Sequence, residues 1–153
     1  KEIFFDLLQM DRKVLEERVL EFIKRKRLAV ISTINQIGTP ESAVVAFAET
    51  SDLKLIFGTF NTTRKYQNLQ NKRTVSFVIG CDEDEKITVQ YEGFAREVKN
   101  SELEECIRIQ LEKNPKSRKY AFEKEQRYFI ITPKFIRYSD FSKKPEEIFE
   151  LNF

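Results

Sequence analysis

The first regular pattern along the chain is a set of apolar residues at helical spacing. Within residues 11–26 the apolar positions that share one helical face are Leu15, Val19, Phe22 and Ile23. Charged residues occupy the positions between them, which is typical of an amphipathic helix on the surface of a core. We therefore predict a helix that buries this face and ends in the basic run 24–27, where cations suit a helix C terminus.

After this helix the pattern changes to short β-rich runs separated by turn residues. The predicted strands are residues 28–34, 41–49, 53–57, 74–79, 86–98 and 127–131, the last resuming over 134–138 after Pro133. Short connections join the first three strands, which predicts an antiparallel meander and leaves no room for parallel crossovers. No GxGxxG motif is present, so a Rossmann sheet is disfavoured. The pattern favours a mainly β, α+β fold: a small barrel of about six strands with helical packing, in which Gly93 forms a bulge or a bend.

Two further helices and a packed tail complete the predicted elements. One helix opens at residues 62–65, and another is capped by Ser101 with Glu104 in the capping-box position. The second helix has a packing stripe of Leu103, Ile107 and Leu111. The tail, residues 141–153, contains the apolar residues Ile148, Phe149, Leu151 and Phe153 between charged ones, and we expect it to pack against the domain.

The stretch 53–80 carries the most informative motif of the chain. A predicted strand ends in a Gly-Thr turn at residues 58–59, and a helix follows that opens with Thr-Thr-Arg-Lys at residues 62–65. Free N–H groups and the helix dipole favour an anion at a helix start, and the fork of Arg64 and the charge of Lys65 strengthen that preference. This pattern predicts a site for a phosphorylated ligand. The alternative is a threonine that only caps a surface helix, with both cations solvated.

Composition narrows the class of protein. The chain has 153 residues, 41% hydrophobic residues and 14 Phe, which excludes a disordered chain and suits a single domain over residues 1–153. Its 27 basic and 25 acidic residues leave a net charge of +2, too balanced for general nucleic-acid binding.

Several chemistries are disfavoured by residues that the chain lacks. It contains no His, which removes the usual general base and the commonest metal and haem ligand. Cys81 and Cys106 fit no zinc spacing, and we interpret them as buried thiols in a reducing compartment. The acidic run 82–85 fits no calcium loop and is interpreted as a solvated hairpin tip. A cofactor is therefore expected to supply any difficult chemistry.

The sequence also bears on location. No apolar run approaches the roughly 20 residues that a membrane helix needs. The N-terminal KEIFFDLLQM lacks a clean apolar stretch and a small-residue cleavage site, so no signal-peptide pattern is visible. We expect a cytoplasmic protein with no membrane partner.

The order and spacing of several motifs point to a known family. These motifs are Gly38-Thr-Pro40, Gly58-Thr59, Thr63-Arg64-Lys65, Asn68, Arg73-Thr-Val-Ser-Phe77 and Val89-Gln-Tyr-Glu-Gly93. Together they resemble the pyridoxamine 5'-phosphate oxidase-like, FMN-binding split-barrel superfamily, well over residues 28–98 and loosely elsewhere. The resemblance implies a six-stranded antiparallel split β-barrel that binds FMN.

The resemblance also implies roles for particular residues. In similar proteins a Ser/Thr-Arg-Lys triplet holds the FMN phosphate, a role that falls here on Thr63, Arg64 and Lys65. The end of the third strand lines the flavin and ribityl chain, which implies Phe57, Gly58 and Thr59. The second strand presents its backbone to the isoalloxazine ring, which implies Ser42, Ala43, Val44 and Val45. Ordinary core packing is the alternative for the second-strand residues, and a simple turn is the alternative for Gly58.

The resemblance further implies a homodimer whose interface contains two cofactor sites. Thr88 and Gln90 on the long strand are then partner-side contacts, with solvent-facing strand positions as the alternative. The 14 Phe residues exceed what one compact core needs, which also favours a buried interface.

The chain departs from pyridoxamine 5'-phosphate oxidase itself. Its second strand has no Arg or Lys, and the chain has no Trp and no His for the C-terminal substrate motif of that enzyme. We therefore expect an FMN-dependent oxidoreductase of unassigned substrate, such as a flavin reductase or a general-stress-like protein. The alternatives are a deazaflavin-dependent reductase and a non-catalytic protein that binds flavin or haem, although haem would need Tyr or Cys ligation.

Overall fold

Six antiparallel strands form a closed β-barrel in the computed structural model, which describes residues 11–80 and 82–153. The order around the barrel is β3-β2-β1-β4-β5-β6, and pairing of β3 with β6 closes it. A seventh strand continues the sheet beyond β6. The strands are β1 (Leu28–Ile34), β2 (Pro40–Glu49), β3 (Leu55–Phe60), β4 (Thr74–Ile79), β5 (Ile87–Glu97), β6 (Gln126–Asp140) and β7 (Glu147–Asn152). The predicted α+β fold, a six-stranded antiparallel split barrel, is confirmed.

Four α-helices accompany the barrel in this part of the chain. They are α1 (Arg12–Lys24), α2 (Arg64–Asn71), α3 (Asn100–Lys113) and α4 (Arg118–Ala121). None of these described helices is long and apolar enough to cross a membrane. Helix α1 begins at the N-cap Asp11 and buries the predicted apolar face against the barrel.

The basic end of α1 is bound to the acidic turn between β4 and β5. The Lys26 ammonium lies 2.9 Å from the Asp82 carboxylate and 2.5 Å from that of Glu85. Arg25 also pairs with Glu85. These contacts lower the pKa of both carboxyl groups. The predicted hairpin tip is therefore present, but two of its four carboxylates, Asp82 and Glu85, are ion-paired rather than only solvated.

Two apolar clusters hold the elements together. The larger fills the barrel and includes the inward side chains of all seven strands. The smaller lies under α3 and contains Ile56, Val98, Cys106, Tyr128 and Ile130. Cys106 is a buried thiol, as predicted, whereas Cys81 lies outside the described residues.

Strand β6 is continuous through Pro133, so the predicted interruption is wrong. The register of β5 with β6 shifts between Glu92 and Gly93, and Lys134 is the extra residue. A bulge tolerates a residue without an N–H group, and Gly93 leaves room because a Cβ there would clash with the Thr132 carbonyl. The predicted bulge at Gly93 is confirmed.

Two other local predictions are wrong. Gly58 and Thr59 form no turn; they continue β3 and pair with Tyr128 and Arg127 of β6. Ser101 does not cap α3, which has Lys99 at its N-cap position and no side-chain cap. The carboxylate of Glu102 in the first turn instead binds Arg96 through two hydrogen bonds of 2.6 and 2.9 Å.

Candidate functional site

The wall of the closed barrel has a gap where β2 and β3 diverge. These strands pair only over residues 47–49 and 55–57, although β2 begins at Pro40. The first half of β2 pairs with β1 on one edge. On its other edge, no described strand bonds to the backbone N–H and C=O groups of that half, and α2 begins beside this gap.

Helix α2 begins at the N-cap Thr63, inside the predicted segment 62–65. The Thr63 hydroxyl accepts a hydrogen bond of 3.3 Å from the Tyr66 N–H and donates one of 3.0 Å to the Phe60 carbonyl. It also lies 2.9 Å from the hydroxyl of Thr59 at the end of β3. These bonds fix the first turn of α2 against β3, with its remaining N–H groups at the gap.

A cavity of about 210 Å³ occupies the gap between β2 and α2. Four of the predicted cofactor-binding residues line it together with three others: Ser42, Ala43, Arg64 and Lys65, with Ile31, Thr33 and Glu41. The structure therefore brings the start of α2 and the first half of β2 to one place.

Lys65 has the environment of a cation that lacks a counter-ion. Its side chain is half-buried in the cavity wall, and burial lowers the pKa of its ammonium. No carboxylate of residues 11–80 or 82–153 lies within ion-pair distance of it. Burying a charge without a partner costs free energy, which an anion in the cavity would offset.

Arg64, in contrast, is paired across the cavity with Glu41. The Glu41 carboxylate also accepts hydrogen bonds from the side-chain amides of Asn68, at 2.8 Å, and Asn35, at 3.2 Å. The bond from Arg64, followed by that from Asn68, lowers the pKa of Glu41 to about 2. The buried Asn68 amide donates to the Thr33 hydroxyl as well, at 2.9 Å. An ionised carboxylate is thus fixed opposite the helix start.

The other predicted residues on β2 and β3 face different environments. Val45 is buried in the barrel core, and the Phe57 ring stacks on Phe129 with centroids 5.5 Å apart. A Cβ at Gly58 would clash with Gln126 and meet Tyr128, so this position faces away from the barrel interior. None of these three residues lines the cavity.

Three other predicted residues lie on the outside of the sheet: Val44, Thr88 and Gln90. Val44, Val30, Val78 and Gln90 occupy one row across β2, β1, β4 and β5. Val44 is 64% exposed, and Val78 and the nearby Leu28 are exposed as well. We call this apolar area, formed by Leu28, Val30, Val44 and Val78, the outer face. A depression of about 500 Å³ on it is bounded by the basic residues 25–27. Thr88 and Gln90 therefore do not join the cavity of their own chain.

The acidic side of the cavity has no local signal in the sequence. Glu41 and Thr33 are brought to α2 by the register of β1 with β2, and no local motif marks them. Asn68 was visible as a motif residue, but its bonds to Glu41 and Thr33 depend on how α2 packs.

Comparisons with solved structures show the same fold in several proteins. The heme binding protein from Mycobacterium smegmatis has a TM-score of 0.78 and 13% identity, covering 94% of this chain and 59% of that one. General Stress Protein 26 from Bacillus anthracis has a TM-score of 0.69 and 22% identity, covering 90% and 98%. HutZ, the heme storage protein from Vibrio cholerae, has a TM-score of 0.64 and 16% identity, covering 78% and 90%.

The chain thus spans about three fifths of the Mycobacterium protein. No curated protein matches the sequence. Residues 15–137, which include the whole barrel wall around the cavity, match the family described as pyridoxamine 5'-phosphate oxidase. The chain therefore belongs to the pyridoxamine 5'-phosphate oxidase family.

Proposed function

We propose that this chain is an FMN-binding flavoprotein that acts as an oxidoreductase. The observation that carries the proposal is the environment of Lys65. A half-buried cation without a described counter-ion lines a cavity at a helix start, beside Arg64 and the hydroxyl of Thr63. This combination of charge, free N–H groups and partial burial suits a phosphate group.

The dimensions and edges of the site support a flavin nucleotide in particular. The cavity of about 210 Å³ is smaller than the roughly 300–1,000 Å³ of typical ligand pockets, so it suits the phosphate end alone. Beyond it, the open edge of β2 offers the N–H and C=O groups of every second residue within 42–45 to the polar edge of a ring. The small side chains of Ser42 and Ala43 leave space beside that edge.

A second copy of the chain would cover the rest of the cofactor. The outer face is continuous with the open half of β2 and is apolar at Val44 and Val78. We propose that it forms a homodimer interface and that Thr88 and Gln90 approach the cofactor held by the partner. Phe57, Gly58 and Thr59 then support the site from β3, Thr59 through its contact with Thr63.

In this proposal the cofactor and the protein residues have separate roles. Bound FMN would supply hydride or electron transfer, because amino-acid side chains do not carry out that chemistry themselves. The residues of this chain bind the phosphate, orient the ring along β2 and exclude water from it. A deazaflavin carrying the same phosphate would meet the same residues.

Haem is a second candidate ligand because two of the solved structures are named for heme. The described residues support it less well. The chain contains no His, Cys106 is buried under α3, and the buried Tyr91 hydroxyl already bonds to backbone carbonyls. None of these groups lines the cavity.

The test is a comparison of FMN with riboflavin, which lacks the phosphate. We expect Arg64→Ala to weaken FMN binding by roughly 10- to 150-fold, since a charge-assisted contact contributes about 1.5–3 kcal/mol. Riboflavin affinity should stay nearly unchanged. Dissociation constants from flavin fluorescence check both expectations, and the absorbance and mass of any copurified ligand separate flavin, deazaflavin and haem.

Arg108→Ala is the matched control, because Arg108 is also an exposed, ion-paired arginine but lies on α3. It should leave both affinities unchanged. Equal losses of FMN and riboflavin in Arg64→Ala would show that Arg64 acts through structure. An unchanged FMN affinity would contradict the phosphate site and leave only a helix cap.

A further inference from the structure

Glu41 is an unexpected group in a site for an anion. It lines the same cavity as Arg64 and Lys65, and its side chain is only 16% exposed. A carboxylate repels a phosphate group at short range, and partial burial strengthens that repulsion. The effect of this carboxylate on binding therefore depends on the charge of the group that the cavity holds.

The carboxylate is held in place by neutral groups as well as by Arg64. Asn68 is 6% exposed, and its amide binds both Glu41 and the Thr33 hydroxyl. Asn35 adds a bond from the turn that precedes β2. Arg64 is the freer partner, because its side chain is 77% exposed. An entering anion can draw the guanidinium toward itself, while the two amides keep Glu41 at the cavity.

The charge of the cavity follows from this arrangement. Glu41 cancels one of the two positive charges that Arg64 and Lys65 bring. A phosphate group carries a charge of about −1.5 to −2 near neutral pH, so one uncompensated cation matches it only in part. Inside the site the phosphate also competes with Glu41 for the same guanidinium.

We infer that Glu41 is a fixed internal counter-anion that limits the affinity of the site for the phosphate of FMN and so makes the bound flavin exchangeable. This inference rests on the proposed function of the same cavity. Glu41 lowers the preference of the site for FMN over riboflavin, because its repulsion acts on the phosphate and not on the ring.

The test is Glu41→Gln, which keeps the shape and an oxygen for the Asn68 amide. We expect FMN to bind about 10-fold or more tightly than to the parent, with riboflavin affinity changed by less than about 2-fold. Glu104→Gln is the matched control, since Glu104 is exposed on α3 and forms no ion pair with any described residue. Fluorescence titration gives the affinities, and thermal melting of the apo-proteins shows that each variant is folded.

A double variant adds a second readout that does not depend on the absolute affinity. In an Arg64→Ala background a gain from Glu41→Gln should persist, because the direct repulsion between carboxylate and phosphate remains; any difference from the gain in the parent measures their competition for the guanidinium. A folded Glu41→Gln protein with unchanged or weaker FMN affinity would overturn the inference alone. So would equal tightening of FMN and riboflavin. No FMN binding by parent or variant would overturn the proposed function and this inference with it.

Discussion

At the scale of single residues, Tyr91 shows how a polar group is accommodated inside the barrel. Its hydroxyl lies 2.8 Å from the Leu53 carbonyl and 3.2 Å from the Ile131 carbonyl, and both act as acceptors. Burial raises the pKa of this hydroxyl well above its usual value, so it stays protonated. Tyr91 therefore links β5 to the chain before β3 and to β6.

Removing this hydroxyl should destabilise the protein without changing its shape. Tyr91→Phe removes the one proton that this hydroxyl shares between the two carbonyl groups, and we expect the free energy of unfolding to fall by about 1–3 kcal/mol. Urea denaturation measures the change. Tyr120→Phe is the control, because Tyr120 is exposed and should stay within about 0.5 kcal/mol of the parent. A Tyr91→Phe protein as stable as the parent would contradict this role.

At the scale of elements, β7 shows that the C-terminal tail packs, as the sequence predicted. Its residues 147–152 pair with residues 135–140 of β6. The Phe149 ring stacks on Tyr138 with centroids 4.9 Å apart, and Arg18 of α1 pairs with Glu147. Strand β7 therefore contacts both α1 and the end of β6.

A core substitution in β7 measures how much this strand contributes. Phe149→Ala removes a nearly buried ring, and we expect a loss of about 3–5 kcal/mol in the free energy of unfolding. Phe153→Ala serves as control, since Phe153 is exposed and lies just after the strand. Thermal and urea unfolding give the stabilities of both variants. Equal stabilities of the two variants would contradict a structural role for β7.

Most elements could be predicted because their signals are local. The helical face of α1 and the alternation of β4, for example, follow from sequence periodicity alone. The errors lie where distant pairing overrides a local signal. Gly58 continues a strand because β6 pairs with it, and Pro133 stays in β6 because Gly93 accommodates a bulge.

The candidate site also contains residues that the sequence predicts and residues that it does not. Thr63, Arg64 and Lys65 could be predicted, because a helix start with hydroxyls and cations is a local pattern. Glu41 could not, because its contact with Arg64 depends on the register of β2 and the packing of α2. The cations of the cavity were therefore visible in the sequence, and the opposing carboxylate was not.

At the scale of the whole molecule, the outer face is an apolar area without a described partner. Exposed apolar patches on soluble proteins commonly mark interaction sites. If two copies meet there, as proposed, Val44→Asp should dissociate them, because it places an unpaired charge in the interface. We expect sedimentation to show a dimer for the parent and a folded monomer for the variant.

Val14→Asp is the matched control for this experiment. Val14 is 43% exposed on α1, away from the outer face, and its substitution should leave the assembly unchanged. A stable 18.2 kDa monomer of the parent protein at micromolar concentration, with flavin bound, would contradict the proposed dimer.

The closure of the barrel by β3 and β6 has a consequence for folding. Strand β3 ends at Phe60, whereas β6 begins only at Gln126. During synthesis one edge of β3, with the apolar run Leu55 to Phe57, has no partner until residues 126–131 of β6 have emerged. Such long-range pairing is slow, and unpaired apolar edges promote aggregation. The nascent chain thus depends on the distant strand β6 to cover this edge.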